Sequence, residues 1–186
     1  MNLEEMKTKS LGLIEELNPE SEHLTDDPDI RAKFNNVANQ VMFEMARMKK
    51  IPDYVEMEVS EGDLIRFEDI ASESGYDVYQ LNIVRGIDCE LKASGTIIKA
   101  MESGILEIDY FKYPEAITDK TKDNYEFELS ADALEIMPYG IAAHLLMSDV
   151  SANYGQIYAQ TYERMLQRLD SRYAIPIISI EGGIEI

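Results

Sequence analysis

The sequence predicts an α+β protein: four helices forming a bundle, with a small antiparallel β sandwich or barrel inserted between the second and the third. Three observations carry this. Apolar residues recur every three or four positions toward both ends of the chain, the period falls to two between residues 54 and 111, and glycine-bearing pairs punctuate that middle region at short intervals. The expected organisation is a helical domain from 1–52 and 114–173, an inserted β domain from 53–113, and an extended C-terminal arm from 174–186.

Taken in order, Leu3, Met6, Leu13, Ile14 and Leu17 form a stripe at helical spacing that Asn18-Pro19 ends. An acidic loop follows, and Asp27-Pro28 has the form of an N-cap with proline at the first helical position. The second helix is expected to reach about Lys50, carrying Ile30, Phe34, Val37, Val41, Met45 and Met48 inward and placing Arg47, Lys49 and Lys50 against its C-terminal dipole. Ile51-Pro52 stops it. From Tyr54, Val55, Met57 and Val59 alternate with Glu56, Glu58 and Ser60, the pattern of a half-buried strand. Further strands are expected near 64–67, 78–84, 89–93, 96–100 and 105–111, joined as a meander through Gly62, Gly75, Gly86, Gly95 and Gly104. Tyr125 to Leu129 alternates briefly, and Ser130 then caps a third helix that Pro138 should kink or break. The last helix runs from Tyr154 to about Arg172 with Tyr154, Tyr158, Tyr162, Leu166 and Leu169 on a wide stripe. Beyond it Ile175, Ile177, Ile178, Ile180, Ile184 and Ile186 concentrate β-branched residues, and Pro176 keeps the segment from continuing the helix.

Lys and Arg number 17 against 36 Asp and Glu, a formal charge of -19 across 186 residues. That field opposes duplex binding, which draws its affinity from cations that neutralise phosphates, so no specific DNA readout is expected. The charge reads either as a solubility device or as acidic faces lining a passage through which DNA slides. With no run of about 18 apolar residues and no basic, apolar leader pattern, the expectation is a soluble protein made in the cytoplasm and not held in a membrane.

Catalytic, cofactor-binding and metal residues are all expected to be absent. Cys89, the only cysteine, reads as a small buried hydrophobe. His23 and His144 sit in no metal-ligand motif, and His144 reads as a packed core residue. Glu181-Gly182-Gly183 lacks the lysine and the helix of a phosphate loop. Asp26, Asp27 and Asp29 lack the spacing of a calcium loop and read as helix capping; Glu61, Asp63, Glu68 and Asp69 read as a solvated turn rather than a hydrolase pair. Met42, Met45 and Met48 read as a core stripe, with an adaptable contact surface as the alternative.

Met137-Pro138-Tyr139, Ala142-Ala143, Leu145-Leu146 and Asp149, followed by Tyr158-x-x-x-Tyr162-Glu163-x-x-Leu166, resemble the C-terminal helix pair of head-tail connector (adaptor) proteins of tailed bacteriophages and prophages. The upstream helix ending Ala46-Arg-Met-Lys-Lys-Ile-Pro52 is similar to that family's second helix, and together these motifs cover about half the chain. The resemblance implies a structural virion component assembled in the bacterial cytoplasm. It implies a homo-oligomeric ring, commonly of about twelve subunits, seated beneath the portal protein, contacting a tail or stopper protein and surrounding the DNA channel. Such a ring is heterologous, so donor and acceptor patches differ on each subunit. The inter-subunit contact residues expected here are Ile175, Ile177, Ile178 and Ile180, with Tyr154, Tyr158 and Tyr162 as weaker candidates because the bundle core can take them. An arm folded onto its own sheet is the alternative to strand addition on a neighbour. A second functional class is a β-sheet module binding carbohydrate or peptide on a helical stalk, which exposed aromatics on one sheet face, such as Tyr76, Tyr79 or Tyr110, or a concave pocket there would favour. A carboxylate-dependent hydrolase comes third.

Overall fold

A computed structural model describes residues 1–147, 153–169 and 179–181. Its elements are α1 (Leu3–Leu13), α2 (Pro28–Met48), β1 (Ile51–Val59), β2 (Leu64–Arg66), α3 (Phe67–Ser74), β3 (Val78–Arg85), β4 (Cys89–Lys92), β5 (Ile97–Ala100), β6 (Gly104–Lys112), α4 (Ala131–Leu146), α5 (Asn153–Leu166) and β7 (Ser179–Glu181). The chain divides into two compact units, Met1–Lys49 with Pro114–Arg172 and Lys50–Tyr113 with Tyr173–Ile186.

The expected four-helix bundle with an inserted antiparallel sandwich or barrel is overturned. Among the described residues there are five α helices, one of them inside the β unit, and the strands form two sheets in place of a meander. The helix that sequence reading missed, α3, buries only Ile70 fully, so its amphipathic signal is short. Its caps are nonetheless local: the Arg66 N–H donates to Asp69 Oδ2 at 2.8 Å, and Gly75 closes the helix in the left-handed region at φ 80°.

In the helical unit, Asn2 and Glu5 form a reciprocal capping box at 2.8 and 3.2 Å, and α1 stops at Leu13, short of the expected Leu17. Asp27 Oδ1 accepts from the N–H groups of Asp29 (2.7 Å) and Ile30 (3.2 Å), so of the acidic triplet Asp27 caps α2 and Asp29 lies in its first turn, while Asp26 accepts from Asn18 instead. Phe34, Ala38, Val41, Met42 and Met45 of α2 are buried, while Met48 is 38% exposed. Helix α4 packs against α1, α2 and α5. It continues through Pro138, so of the kink or break expected there the break is absent, and it buries residues around most of its circumference. Between β6 and α4 the chain is irregular but pinned: Asn39 donates to the Ile117 carbonyl at 2.8 Å and accepts from the Ile117 N–H at 2.7 Å. The short strand expected at Tyr125–Leu129 reduces to one bridge between Asn2 and Glu126.

In the β unit one sheet has the order β1-β6-β3-β7 and the other β2-β5-β4. The first strand pairs antiparallel with the sixth from Ile51↔Lys112 to Val59↔Gly104, and only β4 and β5 are paired neighbours in sequence. Alternation marks which face of a strand is apolar but leaves its partner open, which is why the expected meander was wrong. Val55, Leu81, Val84, Ile98, Leu106 and Ile108, drawn from both sheets, share one buried cluster. Gly86 ends β3 at φ 101°; a Cβ there would lie 2.4 Å from the Ile105 carbonyl oxygen, so close backbone approach demands glycine.

Candidate functional site

The contact residues expected on the last helix turn largely inward. Helix α5 lies along α4, and the meeting point is made by the smallest side chain available: a Cβ on Gly140 would stand 2.7 Å from the Tyr162 ring and 2.8 Å from Val41 Cγ1. Tyr162 is buried, and its hydroxyl donates to Glu44 Oε2 at 2.6 Å. Burial first, and the Glu44 carboxylate second, hold its ionisation well above the usual phenol range. Tyr158, half-buried, donates to the Leu13 carbonyl. Both hydroxyls thus tie α5 to helices of its own unit. The Tyr154 side chain lies outside what is described, although its backbone belongs to α5.

Of the arm residues, Ile175, Ile177 and Ile178 lie outside the described residues, whereas Ile180 falls in β7. That strand pairs parallel with β3, with Ile83↔Ser179, Val84↔Ile180 and Arg85↔Glu181 in register. Across the sheet, Ile180 therefore continues the row Val55–Ile108–Val84, whose three side chains are buried in the β-unit core. The strand occupies part of one edge: Val78 to Asn82 of β3 have no strand paired on that side among the described residues.

Other sequence candidates resolve into structural roles. Cys89 is buried, and desolvation raises its thiol pKa. Asp63 Oδ2 accepts from the Ser60 N–H at 2.8 Å and Asp69 caps α3, so two of the four carboxylates considered for hydrolysis serve turns. No group of three or more His, Cys, Asp or Glu suited to a metal occurs among the described residues. No described helix is long and apolar enough to cross a membrane. The three tyrosines that would favour a carbohydrate or peptide module do not form an exposed aromatic platform. Tyr110 is 1% exposed, Tyr79 packs on Tyr113 at 4.9 Å, and the Tyr76 ring carries the Lys112 ammonium at 3.4 Å. The exposed tyrosine of the sheet is Tyr54, which sequence reading passed over as part of a polar alternation. It shares the outer face with Glu56, Glu107, Asp109 and Arg85. Arg85 bridges Glu107 (2.8 Å) and Asp109 (3.2 Å), and the hydrogen bond from Tyr54 to Glu56 at 2.6 Å pushes the phenol up to about 12.

Two cavities open in the helical unit. One, of about 1000 Å³, lies among α2, α4 and α5 and is bordered by Phe43, Glu44, Arg47, His144, Met147 and Tyr162. Here His144 is half-buried and faces a groove, so it is less enclosed than a core histidine. The other, of about 520 Å³, lies among α1, the 23–25 loop, the start of α2 and the 118–121 segment. Sequence reading anticipated neither, because each draws residues from distant stretches of chain. No family model matches the sequence, and no curated protein matches it.

Proposed function

We propose that this chain is a subunit of the head-to-tail connector of a tailed bacteriophage or prophage, forming a ring below the portal and joining capsid to tail around the DNA channel. The observation that supports the reading is β7: a three-residue strand added parallel to the edge of β3, here of its own chain as the own-sheet alternative has it, and exchanged with a neighbour in the proposed ring. Such an added strand is held chiefly by backbone hydrogen bonds, each worth about 1 kcal/mol net, and an edge that accepts it from its own chain presents the same donors and acceptors to a neighbour's. In the ring, the arm of one subunit fills the β3 edge of the next, with Ile180 in the row of Val84 and with Ile175, Ile177 and Ile178 leading up to it. Because Tyr158 and Tyr162 are committed within their own helical unit, the contact rests on the isoleucines and Tyr154.

Two further features favour the reading. The α4–α5 pair carries the Pro138-Tyr139, Ala142-Ala143 and Tyr158–Leu166 motifs, with Tyr162 of the last seated against Gly140. A net charge of -19 gives translocating DNA few cationic sites on which to stall. Disrupting the gene in the strain that produces the particles should leave DNA-filled heads without tails. The full chain should restore tailed particles, and a chain ending at residue 173 should fold yet fail to be incorporated. Tailed particles in the disrupted strain would sink the connector reading; incorporation of the shortened chain would sink the role of the arm.

A further inference from the structure

The 520 Å³ cavity of the helical unit is lined by more basic than acidic side chains, unlike the chain as a whole. Leu3, Leu11 and Phe34 supply an apolar floor, each at most 5% exposed. Lys7, His23 and Arg31 stand in its wall against one carboxylate, Asp119, which already accepts from Asn35 at 2.9 Å. In a protein with 36 acidic and 17 basic residues, a lining biased toward bases is an inversion. The acids beside it are largely occupied: Asp27 caps α2, Asp26 accepts from Asn18 at 2.6 Å, and Asp123 holds Lys7 at 2.8 Å. Arg31, by contrast, has no ion pair among the described residues, although it lies one helical turn from Asp27. An apolar floor beside the Arg31 guanidinium, with the His23 ring as a further polar group, fits a ligand with an apolar body and a carboxylate at its side.

The same sequence contains a segment of that chemistry. After β7 comes Gly182-Gly183-Ile184-Glu185-Ile186, outside the described residues: two isoleucines flanking a glutamate, behind two glycines that impose little backbone preference. A net charge of -19 disfavours Glu185 against the chain in general, whereas Arg31 offers it a cation with no ion pair among the described residues. We propose that the cavity binds the Ile184-Glu185-Ile186 segment of a second copy, with the isoleucines on the Leu3–Leu11–Phe34 floor and the Glu185 carboxylate on Arg31 and His23. Donor and acceptor then differ on each copy, so the contact is head-to-tail. It does not need the connector reading, since copies associating outside any particle satisfy it.

The test uses the full chain and a fluorescent Gly-Gly-Ile-Glu-Ile peptide amidated at its C-terminus, so that only the Glu185 side chain supplies charge. Saturable binding that weakens with salt is expected, reduced at least tenfold by Arg31→Glu and by a peptide with lysine at the glutamate position, and recovered when those two are combined. Arg31 is exposed, and an unchanged thermal midpoint for the variant checks that the fold is kept. Failure to bind, indifference to Arg31→Glu, or displacement by hexanoate as readily as by unlabelled peptide would each overturn the proposal. The second copy is tested by mixing an Ala32→Cys chain, altered at an exposed lining position beside Arg31, with a chain carrying one added cysteine after Ile186, both carrying Cys89→Ala. A disulfide-linked heterodimer is the expected principal product, and its absence at high protein concentration counts against the inter-copy contact.

Discussion

At the scale of single residues, three positions have consequences that their residue types alone do not announce. Gly140 is enclosed by Tyr162 and Val41, so Gly140→Ala forces a methyl group to within 3 Å of two side chains. Helix propensity favours alanine by about 1 kcal/mol, yet overpacking costs about 1–3 kcal/mol before any rearrangement of the Tyr162–Glu44 pair. Urea denaturation should show the variant destabilised, and an unchanged midpoint would mean that α5 can move away freely. Tyr110 presents the opposite case: its buried hydroxyl makes no hydrogen bond of good geometry, since Ser74 Oγ lies near it but is engaged with the Tyr76 backbone at 3.3 and 3.4 Å. Removing an unpaired buried hydroxyl relieves a cost of about 1–3 kcal/mol, so Tyr110→Phe should be neutral or stabilising, read as a raised denaturation midpoint. The Lys49 ammonium beside Asp132 holds that carboxyl at about 2, below its ordinary 3.8. A depressed folded value stabilises above the unfolded one, so the contribution is complete above about pH 4 and is lost as pH falls toward 2. With the Asp132 side chain 49% exposed, solvent screening limits it to about 1 kcal/mol or less. The stability gap between the wild type and Asp132→Asn should therefore close over that interval in acid denaturation, and a gap independent of pH would exclude the ion pair as its source.

At the scale of elements, local chemistry and distant pairing separate clearly. Asp27-Pro28 marked the start of α2 because a cap is satisfied by residues two and three positions away, all visible in sequence. Helix α3 was missed although its Asp69 cap and terminal Gly75 are equally local, because Ile70 is its only fully buried residue and eight residues make a weak period. The strands were recognisable by alternation, but the pairing of β1 with β6 depends on segments about fifty residues apart, which periodicity does not address. The terminal strand is the element whose removal is most informative. Deleting residues 174–186 should lower hydrogen-exchange protection at the Ile83–Arg85 amides facing β7 by tenfold or more, while the β1–β6 ladder stays protected. Unaltered exchange at those amides would show that the strand adds nothing to its edge in solution.

At the scale of the whole molecule, charge and connectivity bear on function more than any one side chain does. A chain carrying -19 associates against its own repulsion, so contacts between copies should strengthen as salt screens the field, except where a cationic cavity meets an acidic segment. Sedimentation at low and high salt, with the wild type and Arg31→Glu, separates the two: general association rises with salt in both chains, and the cavity-dependent part falls with salt in the wild type alone. The sequence by itself determined what depends on near neighbours along the chain: the starts of α1, α2 and α4, the change of period at Tyr54, the acidic field and the unusual isoleucine-rich end. The tertiary structure alone decided what depends on residues meeting across long separations. It set the partner of each strand, turned Tyr162 inward through the gap left by Gly140, placed Ser179–Glu181 on the β3 edge, and gathered Lys7, His23 and Arg31 around one cavity. The physical reason is that a cap or a period is an interaction within one or two turns of backbone, whereas a pairing or a cavity exists only after chain closure has brought its parts together.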